Sequence, residues 1–246
     1  MKQNLDTRTR IKDAARKLFA EKGVEAGTVR DIVAAAGAKN GGSLNYYFGS
    51  KDGLVAELVS DVLRTATEGW LKALSELDRQ GGPTCVRDVI EVMIYGSMES
   101  YFKDAEPNSA RFLASVLFTR RRMVRDLMQR LDYLVFERLL TYIAEQRPDL
   151  PPEVMRQRLI FLTWYVISIQ AALESSIASG RKSREWNDFD PLVNLIDTAT
   201  GMIEAPVTEG SKVPPVRKRG SNAAKRGVEK AARRDTAGKA AKMIES

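Results

Sequence analysis

TVRDIVAAAGAKNGGSLNYYFGSK, residues 28–51, holds two short helices and the turn between them. The Thr28 hydroxyl can accept a hydrogen bond from the third helical N–H while Asp31 reaches back to Thr28, a reciprocal cap that starts the first helix. Ile32, Val33 and Ala36 then share one face, and Gly37 ends it. Gly41-Gly42 permits a tight turn with positive φ. Ser43 is placed to cap the second helix, with Leu44 and Phe48 as its buried anchors, and Ser50 caps a longer helix starting near Lys51. Ser43, Asn45, Tyr46 and Tyr47 are left to face outward.

The same helical spacing continues on both sides. In 8–21, Ile11, Ala14, Ala15, Leu18 and Phe19 fall on one face, and Lys22-Gly23 is a helix stop. Residues 54–77 read as one long amphipathic helix or two joined ones, broken by Gly81-Gly82-Pro83. Helices are then expected over 84–102, 108–118, 122–146, 153–179 and 191–203. No stretch alternates over a strand length with hairpin turns beside it. The fold class is therefore all-α: a three-helix N-terminal unit followed by about six longer helices. In 153–179, Leu159, Ile160, Leu162, Trp164, Val166, Ile167 and Ile169 cover most of the circumference. Such a helix must be buried on more than one side, which points to contact with the body and with a second subunit.

Composition narrows the function. The chain of 246 residues has 43% hydrophobic and 29% charged residues, in the range of folded globular proteins. It has no histidine, so no Ser-His or Cys-His nucleophile pair and no imidazole metal ligand can form. The single cysteine, Cys85, allows no internal disulfide and suits a reducing cytoplasm. No run of about 18 apolar residues is expected to span a bilayer, and MKQNLDTRTR lacks the apolar core of a secretory signal. No cofactor, metal or membrane is implied, and the chain does not read as an enzyme.

Charge is uneven. Residues 1–53 carry 10 basic and 6 acidic side chains, 54–205 carry 18 and 22, and 206–246 carry 11 and 4. Both ends are positive and the middle is mildly acidic, which suits a polyanion bound at the ends. From Pro206 the chain is rich in Lys, Arg, Ala, Gly and Pro and has no aromatic residue, so it reads as a disordered basic tail.

A double helix is the polyanion that fits 28–51. Thr28 and Lys51 stand at helix N-termini, where free N–H groups and the dipole favour phosphate. Lys39, Asn40 and Gly41 lie in the turn, able to approach the backbone or groove edge. Ser43, Asn45 and Tyr46 are placed for bases: Asn can bond an adenine edge and Tyr can touch a thymine methyl; Tyr47 can do either. Each residue taken singly has a blander reading as cap, core or solvated surface. The order of features from the first helix to Lys51 is what is specific.

Residues 7–55, TRTRIKDAARKLFAEKGVEAGTVRDIVAAAGAKNGGSLNYYFGSKDGLV, resemble the DNA-binding domain of the TetR family of bacterial transcriptional regulators. The landmarks include Ile11, Phe19, Gly23, Thr28, Ile32, Gly37, Leu44, Tyr46, Phe48, Lys51 and Leu54. The resemblance implies a cytoplasmic homodimer that binds a palindromic double-stranded operator through a helix-turn-helix, acting as a repressor released by a small-molecule effector. The family's contact positions fall on Thr28, Ser43, Asn45, Tyr46, Tyr47 and Lys51. Two departures stand out: the turn in AGAKNGGSL is one residue longer than usual, and Asn45 and Tyr47 replace a customary Tyr and His, so base preference is expected to differ.

The implied division is a reading domain over 6–66, an effector and dimerisation domain over 67–205, and the tail over 206–246. The dimer interface is expected on 153–179 and 191–203. Candidate effector contacts are Trp70, Tyr95, Met98, Phe102, Phe112 and Met123, although Met and aromatic residues at helical spacing are most often plain core. Arg120-Arg121-Arg122 reads as a salt-bridged helix junction or as a seat for an anionic group. The rival functions are an architectural DNA binder acting through its tail and a helical enzyme. Gel shifts with promoter against random DNA discriminate among all three.

Overall fold

The computed structural model describes residues 6–38, 42–98, 101–102, 107–130, 134–180 and 184–208. Contacts divide the chain into Met1–Ala205 and Pro206–Ser246, and the first is described here. The turn residues Lys39, Asn40 and Gly41, and the tail beyond Thr208, lie outside the described residues.

Every described element is helical: α1 (Thr7–Lys22), α2 (Val29–Ala35), α3 (Gly42–Phe48), α4 (Lys51–Arg79), α5 (Val86–Ser97), α6 (Ser109–Thr119), α7 (Arg121–Arg130), α8 (Leu134–Glu145), α9 (Pro152–Ser179), α10 (Arg184–Asn187) and α11 (Pro191–Glu204). The expected caps form. Thr28 accepts from the Asp31 N–H, Asp31 accepts from the Thr28 N–H, and Ser50 accepts from Gly53 N–H at the start of α4. Gly81 and Gly82 take φ of 106° and 85° after α4, conformations open to glycine at little cost.

The apolar faces close two cores. One gathers Ile11, Phe19, Ile32, Leu44, Leu54 and Leu58 from α1–α4, completed by Phe112 and Val116 of α6 and Val124 of α7. The other gathers the second half of α4 with α5, α8, α9 and α11. Helix α4 serves both, passing from one to the other between Leu63 and Ala66. Its second half meets α5 backbone to backbone: a Cβ on Gly69 would stand 2.1 Å from the Gly96 carbonyl oxygen. The neighbouring Trp70 ties the pair by donating its indole N–H to the Met93 carbonyl at 2.8 Å. On the outside, Arg8 and Lys12 of α1 clasp Glu57 and Asp61 of α4. Burial pulls the Lys12 ammonium towards neutrality, but the Asp61 and Glu57 carboxylates outweigh it and hold its pKa above the ordinary value.

Three expectations need correction. Residues 122–146 are two helices, α7 and α8. Val124, Leu127 and Met128 of α7 turn to the first core while Val135, Leu139 and Ile143 of α8 turn to the second, each half packing as a separate helix. Ser43 does not cap α3 but lies within it, since α3 already begins at Gly42. Helix α9 reaches spanning length, with mean hydropathy 1.3 over its most apolar window, because its Leu, Ile, Val and Phe outweigh the scattered Thr, Ser and Gln. The core helix of a folded protein passes the same test. Here α9 packs along α6 and α11 and buries the polar Gln170 and Glu174.

Candidate nucleic-acid interface and interior cavity

Helix α3 is only seven residues long and is held from below. Leu44 is fully buried, and the half-buried Tyr47 and Phe48 pack on the same core. That anchoring turns the opposite face outward: Asn45 is exposed and Tyr46 is 83% exposed. The Tyr46 ring face and hydroxyl are thus both open to a partner. Tyr46 and Tyr47 meet edge to face with centroids 5.0 Å apart, which limits how the Tyr46 ring can lie.

Ser43, Tyr46 and Tyr47 line one shallow depression together with Gly37 and Ala38 after α2, Gly42 at the start of α3, and Thr7 and Arg10 of α1. Thr7 and Arg10 escaped the sequence reading. Arg10 donates to the Thr7 hydroxyl at 3.1 Å, so the guanidinium sits on the rim of the depression. The sequence signal is an i, i+3 polar pair on the exposed side of α1, common on any surface helix.

Thr28 and Lys51 stand at the starts of α2 and α4, as expected. Both are already engaged. The Thr28 N–H donates to Asp31, whose carboxyl is held below its usual range first by the Thr28 hydroxyl and then by that N–H. The Lys51 ammonium lies 3.4 Å from the Glu25 carbonyl and over the Phe19 ring. A phosphate at either place shares these groups.

A second feature lies in the body: a partly open cavity of about 120 Å³ lined by α4–α9. Its wall is mostly apolar, with Trp70, Met93, Leu113, Met128, Phe136 and Val166 among its residues. Of the six expected effector contacts, Trp70 and Met98 line it. Phe112 points the other way, buried in the first core and stacked on Phe19 at 6.1 Å. Met123 packs against that core too, while Tyr95 and Phe102 are exposed. Residue type marks these four as large and apolar. It does not show which side of a helix faces the void; Leu113, one residue past Phe112, does.

The cavity's polar groups were also missed. Gln170 donates to the Ser97 hydroxyl at 2.9 Å. Glu174, 2% exposed, accepts the Ala110 N–H on Oε1 at 3.1 Å and the Arg111 N–H on Oε2 at 2.9 Å. It therefore caps the start of α6 from across the bundle. Burial raises the Glu174 pKa, against the opposing pull of those N–H groups and the Arg111 guanidinium. Tyr101, also on the wall, has its pKa raised by burial and by the Glu174 and Asp190 carboxylates, which keeps its proton on. The available signal was two polar residues four apart, Gln170 and Glu174, in a mostly apolar stretch of the helix.

Helix α6 ends at Arg120, which joins the two regions. Its guanidinium reaches Glu25, before α2, at 3.0 Å and also pairs with Asp52 in the first turn of α4. The next residue, Arg121, lies over the Trp164 ring. Within the triplet, Arg120 is a salt-bridged junction and Arg121 makes a cation–π contact.

Residues 11–58 match the profile of the bacterial regulatory proteins of the tetR family. A 56-residue stretch is 48% identical to the HTH-type transcriptional repressor KstR2 of Rhodococcus jostii (strain RHA1), covering 23% of this chain and 27% of that protein. The chain thus aligns with about a quarter of that relative's length. The fold extends further. The fatty acid degradation regulator FadR of Bacillus halodurans shares it with TM-score 0.54 at 16% identity, over 83% of this chain and 98% of that one. AmtR of Mycobacterium smegmatis gives 0.53 at 17%, over 84% and 90%. Residues 11–58, which hold α2 and α3, thus carry the N-terminal DNA-binding unit that the tetR-family profile describes, with α2 and α3 as its helix-turn-helix.

Proposed function

We propose that this protein is a cytoplasmic transcriptional repressor that binds a palindromic operator as a homodimer and leaves it when a small molecule fills the interior cavity. The observation that carries the reading is α3: a short helix anchored by Leu44 that presents Asn45 and the exposed Tyr46 beside Ser43, within the matched residues 11–58. Compact and planar side chains on such a helix suit base edges in a major groove. Thr28, Lys39, Asn40, Gly41, Tyr47 and Lys51 complete the proposed contact set, with Thr7 and Arg10 added from the depression.

Dimerisation is assigned to α9 and α11, which pack together. Helix α9 leaves Ile160, Phe161 and Ile177 exposed and α11 leaves Val193 exposed, apolar surface that a second copy would cover. Two copies of α3 would then stand about 34 Å apart, one helical turn of DNA. The effector reading rests on the cavity and on α6, which runs from its wall to Arg120 and the reading domain.

Fluorescence anisotropy tests it. The full chain should bind promoter DNA from its own locus at a dimer stoichiometry and outcompete random DNA at equal salt. Equal binding to both would favour the architectural reading through the tail; no binding would reopen the enzyme.

A further inference from the structure

The cavity's chemistry says something about its occupant. An apolar void of roughly 150 Å³ holds a benzene ring, so a cavity of about 120 Å³ suits one ring or a short branched chain. The polar side of the wall is not neutral in its demands. A carboxylate offers about four acceptor positions, and the Ala110 and Arg111 N–H groups occupy one on each Glu174 oxygen. Acceptor capacity therefore remains on a buried carboxylate that lines the void. The same carboxylate already fills the N-terminus of α6, the place an anionic ligand would otherwise take. The Arg111 guanidinium, 3.9 Å from Oε2, is already paired with Glu174, so a ligand carboxylate there would compete with Glu174 for it and meet a like charge in a medium of low polarity.

We infer that the effector is a compact apolar molecule carrying a hydrogen-bond donor, a hydroxyl or an amine, which it gives to Glu174 on the cavity wall. This rests on the effector reading above and names the ligand's class. Glu174 is also what makes such a ligand felt elsewhere. Drawing its oxygens towards the void loosens the cap on α6, whose other face carries Phe112 and Val116 into the reading domain's core. Arg120, at the end of α6, holds Glu25 and Asp52.

A headgroup series on one ring tests the assignment in the full-length protein: toluene, benzyl alcohol, benzylamine and benzoate, followed by calorimetry and by the fluorescence of Trp70, which lines the cavity. At least one of the two donor-bearing probes should bind tenfold or more tighter than toluene, and benzoate should not bind. Glu174→Gln should abolish the amine's advantage while leaving toluene binding in place. The wild-type series stands alone if that variant fails to fold. Toluene binding equal to that of both donor probes, or benzoate binding best, overturns the assignment and leaves the cavity as an effector site. A Trp70→Phe variant that keeps the full fluorescence response places the probes elsewhere and overturns it as well. If no probe binds, the cavity's role as an effector site falls with it.

Discussion

The two cores treat polar groups differently. Among the described residues, the core of α1–α4 is built from apolar side chains alone, closed to solvent around Ile11, Phe19, Ile32, Leu44 and Leu54. The buried polar side chains, Asn108, Ser109, Gln170, Glu174 and Thr200, all fall in the body, and so does most of the cavity wall. A dry, filled core has one arrangement and resists deformation. The body holds a void, and atoms lining a void lack packing partners on one side, so side chains there can shift at lower cost. The half that carries the helix-turn-helix is packed to hold its shape, and the half we propose to sense has room to change.

The largest test of that contrast is Phe19→Ala. It removes a fully buried ring stacked on Phe112 and should cost about 3–5 kcal/mol, read as a fall in the denaturant midpoint. A cost below about 2 kcal/mol would mean that the first core relaxes readily and that the contrast is wrong. In the body, Gly69→Ala drives a methyl onto the Gly96 carbonyl, a backbone group that cannot swing aside. Overpacking of this kind costs about 1–3 kcal/mol or more, and thermal melts should show it although the cavity lies close by.

Tyr46→Ala separates reading from stability. The ring is exposed, so the melting temperature should hardly move. Operator affinity should fall by about 1–3 kcal/mol, the value of a good base contact, or roughly five- to 150-fold in Kd. Anisotropy at fixed salt checks it.

The smallest effect is a pH dependence of opposite sign in the two regions. Asp31 has its carboxyl pKa lowered in the folded state, so the stability it lends is present above its unfolded pKa and fades as pH falls through the lower folded value. Glu174 has its pKa raised, so its contribution is present below the unfolded pKa and is lost as pH rises through the folded one. Mild acid should therefore protect the amides at the start of α6 before it frays α2. Hydrogen exchange of Ala110 and Arg111 against Asp31 and Ile32 reads both, and a parallel response would refute the pairing.

How much of this could be read beforehand follows from how local each cause is. The Thr28–Asp31 and Ser50 caps, the Gly81-Gly82 break and the Leu44 anchor depend on residues within a few positions and were legible. The division of 122–146 was not, because the apolar spacing runs on while the two halves serve different cores. Nor was the cavity: whether Phe112 or Leu113 faces a void depends on the rotation of α6 against α1 and α9. Glu174 looked like a charge at the end of an apolar helix. Only the arrival of α6 from 63 residues earlier makes it a cap.

The contact of Gly69 with Gly96 has a mechanical consequence. It is where the second half of α4 rests backbone on backbone against α5, with no compressible side chain between, so a tilt of α4 would turn about it. From Gly69 to Lys51 the helix forms an arm of about 27 Å at 1.5 Å per residue, and a turn of about 4° about that point carries Lys51 roughly 2 Å. That travel exceeds what a hydrogen bond to a phosphate tolerates. A small change beside that contact is therefore large where the protein meets DNA.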